Sequence, residues 1–360
     1  MSSTTRRGVA LAVTLTTALL PGAAQAKTTV VATGIDNPRG LSLAPDGTLY
    51  VAAAGTGGKR GCFLDPEGGD TVCFGKTGKV LAIKDGRTTT VASGLLSAAN
   101  RDGSFATGAD AVSVAPDGTV QTVITSSTKG QVATAPAFVR AQVGNLYAVA
   151  GTTKTKLGAI SPLEWTTNID GVKNDRNSNP YGVLALAGHT LVADAGANAI
   201  IDVPAGGAPK VFSVIPLQKK QQPVPTSLAL GPDGSVYVGE LALGSGPGKA
   251  RIWKLPAAGG APTLYATGFT AITGLAFAPD GTLYVTELSA NIEKGAPGAV
   301  VKVTPDGKRT TISEQGLMFP AGAAADATGV YVSAFSTLPA KTPKRSPFRG
   351  AGGSIIKITP

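Results

Sequence analysis

Thr273 to Glu287 reads TGLAFAPDGTLYVTE, with two short apolar runs on either side of a Pro-Asp-Gly turn. Large and small side chains alternate in Leu275-Ala276-Phe277-Ala278. Leu283-Tyr284-Val285 is the aromatic and β-branched mixture that suits a sheet, so both flanks predict strands. Pro279 is preset for the second position of a type I turn, Asp280 can bond to nearby backbone, and Gly281 accepts the positive φ that closes a hairpin. The two flanks are therefore expected to be antiparallel.

The same pattern occurs six times. The other copies begin at Arg39 (RGLSLAPDGTLYVA), Ala111 (AVSVAPDGTVQTVIT), Gly182 (GVLALAGHTLVADA), Ser227 (SLALGPDGSVYVGEL) and Gly322 (GAAADATGVYVSA). The turns fall at Asp46, Asp117, Gly188, Asp233, Asp280 and Thr328, at intervals of 71, 71, 45, 47 and 48 residues. The shorter intervals match the roughly 40 to 50 residues of a four-stranded propeller blade, and the longer ones add insertions. Each first strand keeps one small face, such as Ser42 and Ala44 or Ala276 and Ala278, as an innermost strand near an axis requires. The pattern predicts an all-β, six-bladed β-propeller. Its last copy is followed by one outer strand, Gly353 to Thr359, and a surplus strand, Thr28 to Gly34, precedes the first. The N-terminal strand is expected to join the last blade and close the ring, removing two open sheet edges.

Residues 1 to 26 have the form of an export signal. Arg6 and Arg7 are followed by the apolar run Val9 to Leu20 and the small-x-small site Ala24-Gln25-Ala26. Residues 27–360 are then expected to be one exported propeller domain without a membrane anchor, secreted or periplasmic. Cys62 and Cys73, the only cysteines, lie in one loop, GCFLDPEGGDTVCF. In an exported chain they are expected to form a local disulfide worth about 2 to 3 kcal/mol, rigidifying an insertion with no sheet of its own.

Candidate chemistry falls on the face opposite the Pro-Asp-Gly turns, which collects the long insertions. Arg39, Asp110, Asn179 and Tyr181 lead into first strands there, and Asp194, Glu240 and Glu287 follow second strands. The three acids have two readings. They form an acidic arc able to hold Ca²⁺ or Mg²⁺ or move a proton, or each accepts backbone N–H groups of its own loop. His189, the single histidine, sits at a turn on the other face, which disfavours Ser-His-Asp and multi-histidine metal chemistry. No phosphate-binding or dinucleotide glycine motif is present, and no cofactor is expected.

The formal charge is +10, of which Arg6 and Arg7 carry two. Much of the rest lies in the insertions, including Lys341, Lys344, Arg345 and Arg349. Such a face suits an anionic small molecule, polysaccharide or protein, and equally serves as a solvated surface. The export signal and the lack of aromatics among the basic residues argue against nucleic acid.

Val31 to Gly58, Val72-CFGKTGKV, Asn179-PYGVLALAGHTLVADAGAN, Val224-PTSLALGPDGSVYVGEL and Leu264-YATGFTAITGLAFAPDGTLYVTEL together resemble the ScyD/ScyE family across the mature chain. The resemblance implies an exported, NHL-like six-bladed propeller, also TolB-like in architecture, with no defined biochemical activity. More distant propellers imply a small-molecule hydrolase or lyase. The SMP-30 type carries a metal-binding Glu where this chain has Arg39, and streptogramin lyases and quinoprotein dehydrogenases need a histidine. A strictosidine-synthase-like enzyme needs one catalytic Glu, for which Glu240 or Glu287 would serve.

Overall fold

The computed structural model describes residues 26–65, 69–218, 221–242, 244–291, 294–344 and 346–360. The export signal at 1–26 thus lies, but for Ala26, outside the described residues, as does Arg345.

The strands follow the repeats. β1 (Lys27–Thr33) precedes β2 (Pro38–Leu43), β3 (Leu49–Ala53), β4 (Arg60–Leu64), β5 (Thr71–Lys84) and β6 (Arg87–Asn100). The second copy gives β7 (Thr107–Val114), β8 (Val120–Ile124), β9 (Asn145–Ala150) and β10 (Thr153–Ala159), with helices α1 (Lys129–Thr134) and α2 (Ala137–Arg140) inserted. Helix α3 (Ser161–Thr167) follows. Then come β11 (Pro180–Leu186), β12 (His189–Asp194), β13 (Ala199–Pro204) and β14 (Lys210–Val214). The fourth copy gives β15 (Pro225–Leu230), β16 (Val236–Glu240), β17 (Ala250–Leu255) and β18 (Thr263–Phe269). The last two give β19 (Ile272–Phe277), β20 (Leu283–Glu287), β21 (Ala299–Val303) and β22 (Arg309–Thr311), then β23 (Ala323–Asp326), β24 (Gly329–Ala334) and β25 (Ser354–Thr359). No helix among the described residues is long and apolar enough to cross a membrane.

Within each copy the strands pair antiparallel in chain order. The turns work as their residues dictate. Asp46, Asp117, Asp233, Asp280 and Asp326 each accept the N–H two residues on, at 2.8 to 3.1 Å, with Gly47, Gly118, Gly234 and Gly281 at positive φ. At the other end, a residue just past the second strand donates its N–H to a carbonyl at or shortly before the start of the first. The pairs are Ala54 to Asn37, Thr125 to Gly108, Ala195 to Asn179, Leu241 to Val224, Leu288 to Ala271 and Ser336 to Phe319, at 2.8 to 3.1 Å.

First strands pack on one another in sequence, β2 on β7, then β11, β15, β19 and β23, and β23 returns to β2. The approach is close. A methyl group on Gly40 would lie 2.8 Å from the Ala111 Cα, on Gly274 2.5 Å from the Ala321 carbonyl oxygen, and on Gly322 2.4 Å from that of Arg39. Hydroxyls tie the junctions. Ser42 Oγ accepts from Val114 N (3.2 Å), Ser113 Oγ from Ala185 N (3.0 Å), Thr226 donates to the Ile272 carbonyl (2.6 Å), Thr273 to that of Pro320 (2.9 Å), and Ser333 to that of Arg39 (2.6 Å). Farther out the sheets diverge and apolar clusters fill the wedges between them. Leu191, Ile200, Val236 and Trp253 lie between the third and fourth, and Leu49, Val51, Ala324 and Ile355 between the last and first.

The strand at residues 27–33 pairs antiparallel with β25, Val30 opposite Ile356, giving the order β1-β25-β24-β23. Cys62 and Cys73 are joined, with Cα atoms 4.1 Å apart. The loop they close differs from expectation, because it has a sheet of its own. The β-branched and aromatic run at Thr71 to Phe74 continues the outer strand, and β4 pairs on it, Phe63 opposite Val72. β6 lengthens in step, and its end pairs with β7 through Ser97 and Ala98, joining the first two sheets.

Gly322→Ala is expected to lower the unfolding free energy by about 1 to 3 kcal/mol, whereas Gly130→Ala in α1, where a methyl meets nothing within 4 Å, should not destabilise. Chemical denaturation of both variants checks this. Deletion of residues 27–34 should lower the calorimetric midpoint by several degrees; an unchanged midpoint would mean that β1 adds nothing to the sheet it joins.

Candidate functional site

The repeat register places Arg39, Asp110, Tyr181, Thr226, Thr273 and Ala321 at one position, directly before the close-packed residues of the six first strands. Asp110, Tyr181, Thr226 and Thr273 line a small central cavity of about 50 Å³, to which the copies of Arg39 and Ala321 contribute the next residues, Gly40 and Gly322. Its mouth is uneven. The Thr226 and Thr273 hydroxyls are spent on the next strand's lead-in and Ala321 has none, so ionisable groups come from three consecutive units only.

Those three lie together. Arg39 Nε is 4.0 Å from Asp110 Oδ1, and both side chains are buried. The guanidinium donates to the Ala106 carbonyl through Nη2, and Asp110 Oδ2 accepts from Gly108 N (3.4 Å). Neither Arg39 Nε nor Asp110 Oδ1 has a hydrogen-bond partner among the described residues. A buried N–H and a buried carboxylate oxygen left facing across such a gap mark a place where another group would be held. Burial pushes the Asp110 carboxyl up to about 6, against the opposing charge of Arg39. Burial also raises the Tyr181 phenol, with the Arg39 charge opposing and Asp110 adding to the rise. Asn179 joins through Thr125, whose hydroxyl donates to Asn179 Oδ1 at 2.6 Å.

Lys341 and Lys344 are exposed on the long connection between β24 and β25. That segment is tied down beside the mouth, with Ala340 N donating to Asp36 Oδ1 at 2.9 Å. Phe348 packs edge-on to Phe319 (5.4 Å between centroids), and Phe319 packs on Phe105 (6.3 Å). Phe105, more than half exposed, precedes the carbonyl that holds Arg39. The sequence reading did not anticipate this aromatic strip, because its members come from three distant loops. It also passed over Asn37, fully buried at φ 49°, whose amide donates to the Gly55 and Gly103 carbonyls (2.8 Å each) and so fixes the loop above Arg39. The readable signal was an Asn before a strand, since Asn tolerates left-handed backbone.

The three acids stand apart from this group, at the ends of β12, β16 and β20. Asp194 accepts from the Ser178 hydroxyl (2.6 Å) and from the N–H groups of Asn179, Gly196 and Ala197 (2.6, 3.2 and 3.1 Å). Glu240, fully buried, accepts from Arg251 N and Nε (3.2 and 2.9 Å) and from the Trp253 indole. Glu287 accepts from Thr270 N at 2.6 Å. Among the described residues no group of three or more His, Cys, Asp or Glu could hold a metal ion. Carboxylates so engaged hold loops in place. A further buried acid, Glu164 of α3, accepts from Ile169 N (2.7 Å), and nothing in its local sequence marked it.

No protein-family model matches the chain, and comparison with curated proteins finds no match. Among solved structures the chain is similar to a structural-genomics protein of unknown function from Bacteroides thetaiotaomicron (12% identity, 93% of this chain and 76% of that one, TM-score 0.55). It is similar to a luciferin-regenerating enzyme (10%, 93% and 95%, TM-score 0.54) and to regucalcin, a calcium-binding protein from Agrobacterium tumefaciens (13%, 91% and 92%, TM-score 0.51). At these identities the likeness shows the fold alone, and that fold is a β-propeller.

Burial also raises Asp194 to about 6 and Glu164 to about 7, and it raises Glu240 and Glu287. A carboxyl that holds its proton more tightly folded than unfolded contributes stability fully below its unfolded pKa and loses it as pH rises through the folded value. The depressed Asp46 and Asp233 act in the opposite sense, but only between about 2 and the ordinary 3.8. Unfolding free energy is therefore expected to fall between about pH 4 and pH 7. Urea titrations across that range should show a shallower fall in Asp110→Asn, and an unaltered slope would mean that Asp110 titrates normally.

Proposed function

We propose that the protein is an exported, six-bladed propeller of the ScyD/ScyE kind, its ring closed by β1, that binds an anionic small molecule, polysaccharide or protein on its loop-rich face. The pairing of β1 with β25 and the return of β23 to β2 support the closed ring of six. The Cys62–Cys73 disulfide supports an oxidising compartment. The observation that carries the binding reading is the buried Arg39, with an unpartnered N–H beside Asp110 at the mouth of the axis. Lys341 and Lys344, with Arg345 and Arg349 nearby in sequence, supply the field that brings an anion there. The chemistry at the mouth favours recognition over turnover. The mouth offers a charge pair and a phenol, while Asp194 and Glu240 each accept from several donors and Glu287 accepts from Thr270 N, so these acids are better placed to hold loops than to meet a ligand at the mouth.

The test is binding of a polyuronate such as alginate, followed calorimetrically at low and high salt. Reversing Lys341, Lys344 and Arg349 to Glu is expected to weaken it about tenfold at low salt and to flatten its salt dependence. Arg39→Gln should weaken binding equally at all salt concentrations. Affinity unchanged in the triple variant would remove the electrostatic basis of the reading.

A further inference from the structure

On the turn face, away from Arg39, the third copy of the repeat breaks its own rule. In four copies a Pro-Asp-Gly turn of five residues, such as Ala115 to Thr119, separates the first two strands, and the short turn of the sixth still keeps an aspartate, Asp326, that accepts the N–H two residues on. Here Ala187 and Gly188 alone join β11 to β12, with no Pro and no Asp, and the next residue is His189 in place of the usual Thr or Ser. The shortened turn leaves room. A cavity of about 420 Å³ opens between it, the β7–β8 turn and the β13–β14 turn, with Leu157 of β10 on its wall. That volume is in the range of small-molecule sites, whereas the axial cavity is about 50 Å³.

The polar groups in this cavity are positioned by the sheet. His189 Nδ1 lies 2.7 Å from Asp202 Oδ1, on the neighbouring strand β13, and the other Asp202 oxygen is 3.5 Å from Lys210 Nζ. A carboxylate at Nδ1 places the ring proton there and leaves Nε2 as an acceptor, with no partner among the described residues. Gln121 of β8 is nine-tenths buried, and its Oε1 accepts the Thr190 hydroxyl at 2.7 Å, which leaves its NH₂ to donate. One acceptor and one donor thus share a cavity whose remaining wall includes Leu157, Leu186 and Val203.

We propose that this cavity binds a neutral, polyhydroxylated ligand of monosaccharide size. An anion would meet the carboxylates of Asp117 at the rim and Asp202 behind the imidazole, and an ammonium group would leave the Gln121 donor unused. Hydroxyl groups both donate and accept, so adjacent hydroxyls of one sugar satisfy His189 Nε2 and Gln121 Nε2 while its C–H face covers the leucines. The site is separate from the proposed anion-binding face and does not depend on it.

His189 is the single histidine of the chain, so its ring signals are assigned without ambiguity in a proton–carbon NMR spectrum. The experiment titrates the protein with glucose, galactose, mannose and N-acetylglucosamine. At least one should move the His189 ring resonances in a saturable manner. Gln121→Leu should abolish that response, and Leu157→Trp, which fills the cavity from its partly exposed wall, should abolish it too. Asp202→Asn, which releases the ring tautomer, should weaken affinity several-fold. No saturable movement with any of the four sugars, or a response that persists in folded Leu157→Trp protein, would overturn the proposal.

Discussion

Around the central axis the main chains of neighbouring first strands come so near that four of the six close-packed positions, Gly40, Gly182, Gly274 and Gly322, have no room for a side chain, and the other two carry only Ala111 and Ser227. At Gly322 an added methyl group would sit 2.4 Å from a carbonyl oxygen, and at Gly274 and Gly182 it would fare little better. This contact sets the radius from which every sheet diverges. The wedges that open beyond it are filled by β-branched and aromatic residues, each cluster drawing on two adjacent sheets. Cohesion therefore runs around the molecule rather than inward to one centre, as in repeat proteins generally.

The same contact decides where recognition can occur. Strands that touch leave little volume along the axis, so a site must lie at its mouth or in a gap between sheets. At the mouth, one position per repeat faces the opening, and three consecutive repeats fill it with Arg39, Asp110 and Tyr181. Between sheets, a gap needs a shortened element, which the chain supplies at Ala187-Gly188.

What was legible in the sequence was what the repeat register determines. The turn chemistry, the order of strands and the equivalence of the mouth positions follow from alternation and from Pro-Asp-Gly, as does the outer pair β9 and β10. The extension of β5 and β6 did not, because Gly75 and Gly78 resemble turn signals there. They are close-approach positions instead. A methyl group on Gly75 would lie 2.0 Å from the Gly57 carbonyl oxygen, and one on Gly78 2.7 Å from that of Leu96. Helices α1 to α3 are too short to show a helical period. Tertiary bonds such as that from the Trp165 indole to the Ser127 carbonyl (2.9 Å) fix them. At the site, the three ionisable residues were visible from register and engagement of the acids by backbone N–H groups was one of their two readings, while the aromatic strip was not visible, since it depends on contacts between distant loops.

The antiparallel pairing of β1 with β25 sets Lys27 beside Thr359, at one end of the ladder between the two strands. A pull applied through Lys27 and Thr359 would act across the end of this ladder, opening its hydrogen bonds one pair after another instead of shearing them together. The outermost strand would peel away while the other sheets, each built from contiguous chain, kept their own ladders. Mechanically, the seam is a zipper with its tab at Lys27 and Thr359.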